Sequence, residues 1–283
     1  MNRAINLRQL SVANLTVGRV DPVEFIEKAA AAGFGAVGLL VMSATSQPLQ
    51  HEIVGRPEVM RAVKSALVTN GMRVFDIEAF ILSPQTDLER MRPALAAGAE
   101  LGATHISSIG TEFMGNTQLL EPAQRVDLFG RLCDEAAQFG LHVGVEFMLY
   151  RDIRTWEEAL SLIEAAGRPN AGLILDLLHI LRANTTPADL AKIPADRVAY
   201  AQLCDATDRS PALEELPTEA RTDRLHLGDG VIPLDEILDL LPDGTPLVIE
   251  TPVAAEAAWS IDERLKTAAD NAKVLFDRQL MRA

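Results

Sequence analysis

Short apolar runs and longer amphipathic segments alternate along the chain. A typical unit has an amphipathic segment at residues 21–32, which begins with Asp-Pro and is followed by Gly33, and then an apolar run at residues 36–41. Asp as N-cap, Pro in the first turn and Gly after the last turn are usual helix boundaries. The alternation therefore predicts helices and strands of a parallel α/β sheet.

The same unit recurs until eight strands and eight helices are predicted. The predicted strands are residues 10–13, 36–41, 73–78, 104–109, 142–146, 172–176, 198–202 and 246–250, and the predicted helices are residues 21–32, 57–70, 87–101, 122–139, 155–166, 187–192, 234–241 and 256–277. Strands that are apolar throughout are typical of parallel sheets covered by helices. Eight such units predict an α/β protein built as a single (β/α)8 TIM barrel, with residues 1–283 as one domain.

An open doubly wound sheet with an additional lobe is the alternative architecture. Residues 33–38 match the dinucleotide-binding fingerprint G-x-G-x-x-G letter for letter. That fingerprint must follow a strand and begin a helix, because the helix N-terminus binds the pyrophosphate. Here the glycines end a predicted helix and begin a predicted strand, so the context favours the barrel and argues against nucleotide binding.

Composition and charge exclude several classes of protein. With 283 residues, of which 48% are hydrophobic and 23% charged, the chain can bury a large core. A formal net charge of −14 opposes binding to nucleic-acid phosphates and anionic membrane surfaces. Cys133 and Cys204 form neither a disulfide framework nor a C-x-x-C pair, and no apolar run is long enough to span a membrane. We therefore expect a cytoplasmic protein that binds a small molecule and neither nucleic acid nor membrane.

Oxygen-bearing side chains stand at the ends of the last four predicted strands. They are Glu146, Asp176, Gln202 and Glu250. The C-terminal strand ends of a barrel converge on its site, where carboxylates without a cation would repel one another. Oxygen ligands with no nearby cysteine are typical of Mg²⁺ or Mn²⁺. The pattern predicts one divalent ion bound by these four residues, with helix capping as the alternative role for any single acid.

These residues and their surroundings resemble the xylose isomerase-like TIM barrels, a family of sugar phosphate isomerases and epimerases that includes ketose 3-epimerases, inosose dehydratases and dehydroshikimate dehydratases. The resemblance is carried by residues 145–147, 172–179, 201–206 and 227–230 and by the strand that ends at Glu250. It implies that the four strand-end residues hold Mn²⁺ or Mg²⁺. It also implies a homodimer as the assembly to expect.

Gln202 departs from the most common pattern of this family, in which the third ligand is His. A Gln at this place is similar to the dehydratase branch, so the site is not a simple copy of the ketose epimerase site. Those epimerases also carry a substrate-binding Arg six residues after the His. The sixth residue here is Asp208, followed by Arg209, so that assignment does not transfer.

Further candidate residues surround the predicted metal site. The resemblance implies that His179, three residues after Asp176, contacts the substrate or a metal ligand and takes part in catalysis, with helix capping as the alternative. Arg182 is a candidate for substrate binding, with a surface position as the alternative. Glu78, at the end of the third predicted strand, is a further substrate-binding candidate, whereas His105 is expected to pack.

The longest loop between predicted core elements spans residues 206–230, and long barrel loops are usually functional. It contains Arg209, Arg221, Arg224 and His226, which are cations suited to an anionic or polyol substrate. We favour Arg224 as a substrate contact, because an Arg shortly before the Gly-Asp-Gly turn resembles the family pattern. A solvent-exposed arginine is the alternative.

The predicted site supports removal of a proton next to a carbonyl. A divalent ion that chelates a ketone and an adjacent hydroxyl would acidify the α-proton and stabilise the resulting enediolate. Glu146 and Glu250 would both bind metal and move protons. We therefore predict a metal-dependent isomerase or epimerase of a small keto sugar. The alternative is a dehydratase, a carbon–oxygen lyase, of a cyclic keto polyol or keto acid such as inosose or dehydroshikimate.

Two other classes share the barrel architecture. An endonuclease IV-like barrel needs a basic face and several histidine ligands, whereas this chain has a net charge of −14 and five histidines. A binding or regulatory barrel without catalysis would not need a complete ligand set. Neither class fits the sequence as well as the enzyme does.

Overall fold

The computed structural model describes residues 6–43, 49–115 and 118–282. Eight parallel strands form a closed barrel in sequence order, in which the last strand pairs with the first. The strands are β1 (Ser11–Val12), β2 (Ala36–Leu40), β3 (Arg73–Ile81), β4 (His105–Ile109), β5 (His142–Glu146), β6 (Ala171–Asp176), β7 (Val198–Leu203) and β8 (Leu247–Ile249). The predicted TIM barrel is therefore confirmed. The predicted single domain also includes residues 1–5, 44–48, 116–117 and 283, which lie outside the described residues.

Ten α-helices lie between and after the strands in the described part of the chain. They are α1 (Pro22–Ala32), α2 (Pro57–Asn70), α3 (Leu88–Glu100), α4 (Pro122–Ala137), α5 (Trp156–Ala166), α6 (Leu177–Arg182), α7 (Pro187–Leu190), α8 (Leu216–Thr222), α9 (Leu234–Leu240) and α10 (Ile261–Met281). None of them is both long and apolar enough to cross a membrane. Cys133 and Cys204 are both buried, and neither forms a disulfide bond.

The prediction of eight helices was wrong, because α6 and α8 were missed. The α6 helix starts on the residue after β6 with no Gly or Pro between them, so nothing in the sequence marks the change. The α8 helix lies inside the segment that was read as one long loop. The last helix begins at Ile261 rather than at residue 256, because the side chain of Ser260 caps it by accepting the backbone N–H of Glu263.

The first unit shows how local sequence sets the element boundaries. Asp21 accepts the backbone N–H groups of Val23 and Glu24 and so caps α1, which has Pro22 in its first turn. Gly33 ends the helix with φ 103°, a left-handed conformation that favours glycine. The Gly-rich segment at residues 33–38 therefore runs from a helix end into β2, and no helix begins there to bind a pyrophosphate.

Two separate apolar clusters stabilise the barrel. The larger one fills the space between the barrel and its helices, and the smaller one consists of Ala13, Ile174, Tyr200 and Val248. The last three precede Asp176, Gln202 and Glu250 by two positions each, and residues two apart on a strand share a face. The candidate ligands therefore lie on the same face as this small cluster, one layer closer to the C-terminal ends.

Gly144 allows β5 to approach its neighbours at this level. A Cβ atom at Gly144 would lie 2.5 Å from Cγ1 of Ile174 and 3.3 Å from Cε1 of Tyr200. Both contacts are shorter than ordinary packing distances, so any larger residue would push β5 away from β6. Because Glu146 lies two residues further along β5, the glycine helps to set the position of that carboxylate.

We expect Gly144→Ala to reduce the free energy of unfolding by about 1–3 kcal/mol through overpacking. Gly130→Ala in α4 is the matched control, because its new Cβ would have no neighbour closer than 3.6 Å. The control should be neutral or more stable by about 0.5–1 kcal/mol, since alanine is favoured over glycine inside a helix. Urea unfolding of both variants measures the difference, and a Gly144→Ala variant as stable as the control would contradict it.

Candidate metal centre

Glu146, Asp176, Gln202 and Glu250 are all buried at the C-terminal end of the barrel. Glu146 and Asp176 are the last residues of β5 and β6, Gln202 is the residue before the last of β7, and Glu250 directly follows β8. Asp176 and Gln202 are register partners across β6 and β7. The structure therefore places all four predicted ligands at one end of four consecutive strands, as the sequence predicted.

Asp176 has a structural role in addition to its predicted one. Its Oδ1 accepts the backbone N–H groups of Leu178 (2.8 Å) and His179 (3.3 Å) at the start of α6. Its Oδ2 accepts a hydrogen bond from Nη1 of Arg224 (2.7 Å). Helix capping was the alternative to metal binding for this acid. The structure shows that Asp176 caps α6, and the residue still lies among the other candidate ligands.

Arg224 lies between two of the candidate ligands and is almost completely buried. Its Nη1 donates to Asp176, its Nη2 lies 3.0 Å from Oε2 of Glu250, and its Nε donates to the carbonyl of Ala220 (2.9 Å). The surface position that was the alternative for this arginine is therefore excluded. Its predicted contact with substrate stays a prediction, because the observed partners are carboxylates of the site itself.

His179 lies beside Glu146, and both side chains are buried. Its Nε2 is 3.4 Å from Oε1 of Glu146 and has no hydrogen-bond partner among the described residues. Burial lowers the pKa of His179 to about 4, so the imidazole is neutral at pH 7. Glu146, Asp176 and His179 each offer a ligand atom within 4.8 Å of the others. His179 is therefore placed to act as a metal ligand, a role that the sequence did not suggest.

Burial and mutual repulsion raise the pKa values of two of the carboxylates, whereas neighbouring groups lower that of the third. Burial, together with the negative charges of Asp176 and Glu250, raises the pKa of Glu146 well above its usual value. Burial also raises the pKa of Glu250 to about 8, although Arg224 opposes the shift. Burial also acts to raise the pKa of Asp176, but Arg224, His179 and Glu250 together outweigh it and lower this pKa to about 2. Without a cation, the centre therefore retains protons on some of its acids at neutral pH.

The donor set fits a divalent cation. Oε1 of Gln202 is buried and has no hydrogen-bond partner in the described part of the chain, which is costly unless something else binds the oxygen. It stands with three carboxylates whose charges a cation would offset. Carboxylate and amide oxygens with one neutral imidazole suit hard or borderline metals. These residues could hold one divalent ion, whose identity the donor set alone does not define.

Glu78 in β3 connects this centre to a cavity of about 610 Å³. Burial and the charges of Asp76, Glu250 and Glu146 raise the pKa of Glu78 well above its usual value. The cavity is lined by apolar side chains such as those of Phe80 and Met91 and by polar ones that include Thr86 and Arg90. Glu78 is therefore placed where a bound small molecule would meet it, and its predicted substrate contact stays a prediction.

Arg182, the last residue of α6, forms a buried ion pair with Glu219. Its Nε donates to Oε2 of Glu219 (2.9 Å), and its Nη1 donates to the carbonyl of Thr207 (3.0 Å). The surface position considered for Arg182 is wrong, since the side chain is buried. A substrate contact by Arg182 would require this ion pair to break, and leaving Glu219 buried and unpaired would be costly.

Several residues near the centre were not identified from the sequence. The ring of Tyr150 meets the His179 ring edge-on, with centroids 5.9 Å apart, and Tyr200 donates a hydrogen bond to Asp76 (3.2 Å) below the ligand layer. Tyr150 could have been identified from the sequence only by its position shortly after β5. His105 stacks on Phe75 with centroids 4.7 Å apart, in agreement with the packing role expected for it.

The closed (β/α)8 fold and the converging oxygen ligands place this protein among the TIM barrels with a candidate metal centre at the C-terminal strand ends. Within this class, residues 26–277 match the family model of the xylose isomerase-like TIM barrel, and the chain belongs to that family. The family resemblance found in the sequence is thereby confirmed.

The relatives of the chain are enzymes of more than one reaction type. A 3-dehydroshikimate dehydratase of Pseudomonas aeruginosa is 28% identical over 214 residues, which are 70% of this chain and 31% of the dehydratase. An inosose isomerase of Halalkalibacterium halodurans is 28% identical over 152 residues, 51% of either chain. The alignments thus span between about a third and a half of the length of these relatives.

The fold is similar to the crystal structure of the IOLI protein with a bound zinc atom. The two chains superpose with a TM-score of 0.78 over 95% of this chain and 98% of that chain, at 16% sequence identity. At this identity the likeness concerns the fold. In this chain, the Glu146, Asp176 and His179 group could itself hold a divalent metal.

Metal binding by Asp176 can be tested directly. We expect Asp176→Asn to weaken Mn²⁺ binding at least about tenfold and to reduce the rise in melting temperature that added Mn²⁺ causes, because a ligand that binds only the native state stabilises it. The amide keeps an oxygen able to cap α6. Asp239→Asn, on the surface of α9, is the control and should bind Mn²⁺ like the wild type. Equal Mn²⁺ affinity in the two variants would contradict the assignment.

The raised pKa values predict a pH dependence of stability. Above about pH 6.5 the unfolded chain has lost its carboxyl protons, whereas native Glu250, with its pKa raised to about 8, still holds its proton, so stability falls as pH rises toward about 8. The raised pKa of Glu146 acts in the same direction. His179 opposes this trend only below its usual pKa of 6.5. Melting temperatures in EDTA should therefore decrease from pH 6.5 to about 8, and excess Mn²⁺ should reduce the decrease. A metal-free protein that becomes more stable over this range would contradict the account.

Proposed function

We propose that the protein is a divalent-metal-dependent enzyme that removes a proton next to the carbonyl of a small polyhydroxylated ketone and returns an isomer or epimer. The observation that carries the proposal is the convergence of Glu146, Asp176, Gln202 and Glu250 at the strand ends. Membership of a family whose members include isomerases and dehydratases supports it. We propose Mn²⁺ or Mg²⁺ as the metal, because oxygens dominate the donor set.

The metal, when bound, would polarise the carbonyl and stabilise the negative charge that develops on its oxygen. The protein must then supply a base near the carbon that loses its proton. Glu146 and Glu250 are separated along the barrel wall by β6 and β7, so they reach a bound molecule from different sides. A proton taken by one carboxylate and a proton returned by the other would invert the stereocentre.

The surroundings of the two glutamates differ in a way that suits this division of roles. A bound cation would offset the burial that raises the pKa of Glu250, and the guanidinium of Arg224, 3.0 Å away, also favours the ionised form of Glu250. Glu146 lies instead beside the neutral imidazole of His179. In this proposal Glu250 takes the proton from the substrate. Glu146 would give a proton to the opposite face of the same carbon, and His179 would relay a proton from solvent back to Glu146 through Nε2.

A dehydratase is the second candidate, and Gln202 is the observation that favours it. The sequence resembles the dehydratase branch at this position, and a 3-dehydroshikimate dehydratase is among the relatives. The first step is the same proton removal, after which loss of a β-hydroxyl as water replaces the return of a proton. Product analysis therefore distinguishes the candidates, whereas the site of proton removal does not.

Proton removal can be measured before the substrate is known. Candidate keto sugars and cyclic keto acids, including 3-dehydroshikimate and inosose, are incubated with the Mn²⁺-loaded protein in D₂O and analysed by NMR. We expect deuterium from the solvent to enter at least one of them or its product. Deuterium in recovered substrate or in an epimer supports the isomerase, and a new conjugated chromophore with release of water supports the dehydratase.

Glu250→Gln should slow either outcome at least about 100-fold, because it removes the base but keeps the size of the side chain. Glu100→Gln, at an exposed position of α3 that pairs with Lys64, is the control and should react like the wild type. Mn²⁺ content measured beside the rate separates loss of the base from loss of the metal. Turnover at the wild-type rate in Glu250→Gln would place the chemistry elsewhere.

A further inference from the structure

Two arginines and a glutamate form a cluster beside the metal centre. Arg151 follows β5, Arg221 lies in α8, and Glu112 lies three residues after β4; we call these three residues the arginine cluster. Nη2 of Arg221 donates to Oε2 of Glu112 (2.8 Å), and Nη2 of Arg151 lies 3.8 Å from the same oxygen. Guanidinium groups from two separate segments thus face a single carboxylate.

Arg151 is fixed in place and still has hydrogen-bonding capacity. The residue is 7% exposed, its Nη1 donates to the carbonyl of Gly110 (2.7 Å), and its guanidinium lies 5.7 Å from the centroid of the Tyr150 ring. Its Nε is buried and has no hydrogen-bond partner within the described ranges. A buried N–H without an acceptor is costly, so this group is available to a ligand that the chain itself does not supply.

Tyr150 connects the arginine cluster to the metal centre. One side of its ring is near Arg151, and its edge contact with the His179 ring has a centroid distance of 5.9 Å. His179 in turn lies 3.4 Å from Glu146. The ring of Tyr150 therefore separates the arginine cluster from the residues that would hold a small molecule at the metal centre.

The arginine cluster itself has a charge opposite in sign to that of the whole protein. The chain carries a net charge of −14, but the arginine cluster has two cations for one anion. The nearby acid Asp152 does not change this balance, because it is paired with Arg125 at 2.7 Å. A positive group beside the site of a strongly acidic protein favours an anionic ligand at that place.

We infer that Arg151 and Arg221 bind a carboxylate group of the substrate, which is therefore a polyhydroxylated keto acid rather than a neutral sugar. The inference rests on the proposed function, because it concerns the substrate of that same site. Guanidinium groups match the planar geometry of a carboxylate, and Glu112 already shows that a carboxylate fits between the two side chains. Glu112 holds the arginines in place and competes with the ligand for them.

The test compares ligands that differ in a carboxylate. Affinities of the Mn²⁺-loaded full chain are measured by calorimetry for D-fructuronate against D-fructose and for 3-dehydroshikimate against its carboxamide. We expect at least one acid to bind at least about tenfold more tightly than its neutral partner, consistent with charge-assisted hydrogen bonds. D-fructose 6-phosphate tests whether the arginine cluster selects phosphate instead.

Three variants assign the preference to the arginine cluster. Arg221→Gln, at a side chain that is 49% exposed, should lose most of the acid affinity and leave the neutral ligand unchanged. Glu112→Gln should tighten binding of the acid, because it removes a competing carboxylate. Arg131→Gln on α4 removes the same charge from an exposed pair with Asp127, and its ligand preference should equal that of the wild type.

The inference is overturned if the acid and the neutral ligand of each pair bind equally or not at all. It is also overturned if Arg221→Gln weakens the binding of both ligands equally, or if the phosphate ester binds more tightly than the acids. Deuterium exchange distinguishes this failure from failure of the proposed function. A preference for acids that depends on Arg221, with no exchange into any ligand, supports the carboxylate site and contradicts proton removal. Exchange into neutral ketones without a preference for acids contradicts the carboxylate site alone.

Discussion

Mutual repulsion among buried carboxylates is the constraint on which the site depends. Glu146, Asp176 and Glu250 converge at the C-terminal end of the barrel, where little water is available to screen their charges. Arg224 offsets part of the repulsion, because its guanidinium contacts Asp176 and Glu250. It makes no such contact with Glu146. Protons or a divalent cation must offset the rest, and the unpartnered oxygen of Gln202 favours the cation.

The barrel holds these groups together through features that are not themselves part of the chemistry. The strand ends set the height of each ligand, and Gly144 lets β5 approach Ile174 and Tyr200 below the ligand layer. Asp176 ends β6, caps α6 and accepts a hydrogen bond from Arg224, so one residue links strand, helix and site. The polar centre thus depends on the closely packed apolar layer beneath it.

The strands and candidate ligands could be predicted because each depends on local pattern. An apolar run that ends in a single oxygen-bearing side chain identifies both the strand and its C-terminal end, as for β5 and Glu146. The contacts of Arg224 and Arg182 could not be predicted, because the local sequence around an arginine does not tell whether its side chain is exposed or buried. Its pairing with Asp176 or Glu219 depends on distances between segments far apart in the chain.

The same reasoning explains the missed helices and the arginine cluster. Nothing separates β6 from α6 in sequence, since Asp176 serves both, and α8 lies in a segment without apolar periodicity strong enough to identify it. Arg221 was visible as a loop cation. Its proximity to Glu112 and Arg151 follows only from closure of the barrel, which brings the segments after β4, β5 and β7 to one end.

Anomalous diffraction from Mn²⁺-soaked crystals at the manganese absorption edge tests the central claim most directly. The account predicts one strong anomalous peak at the C-terminal end of the barrel, in contact with oxygens of Glu146, Asp176, Gln202 and Glu250. A peak bound only by other residues, or no peak at saturating Mn²⁺, would contradict it.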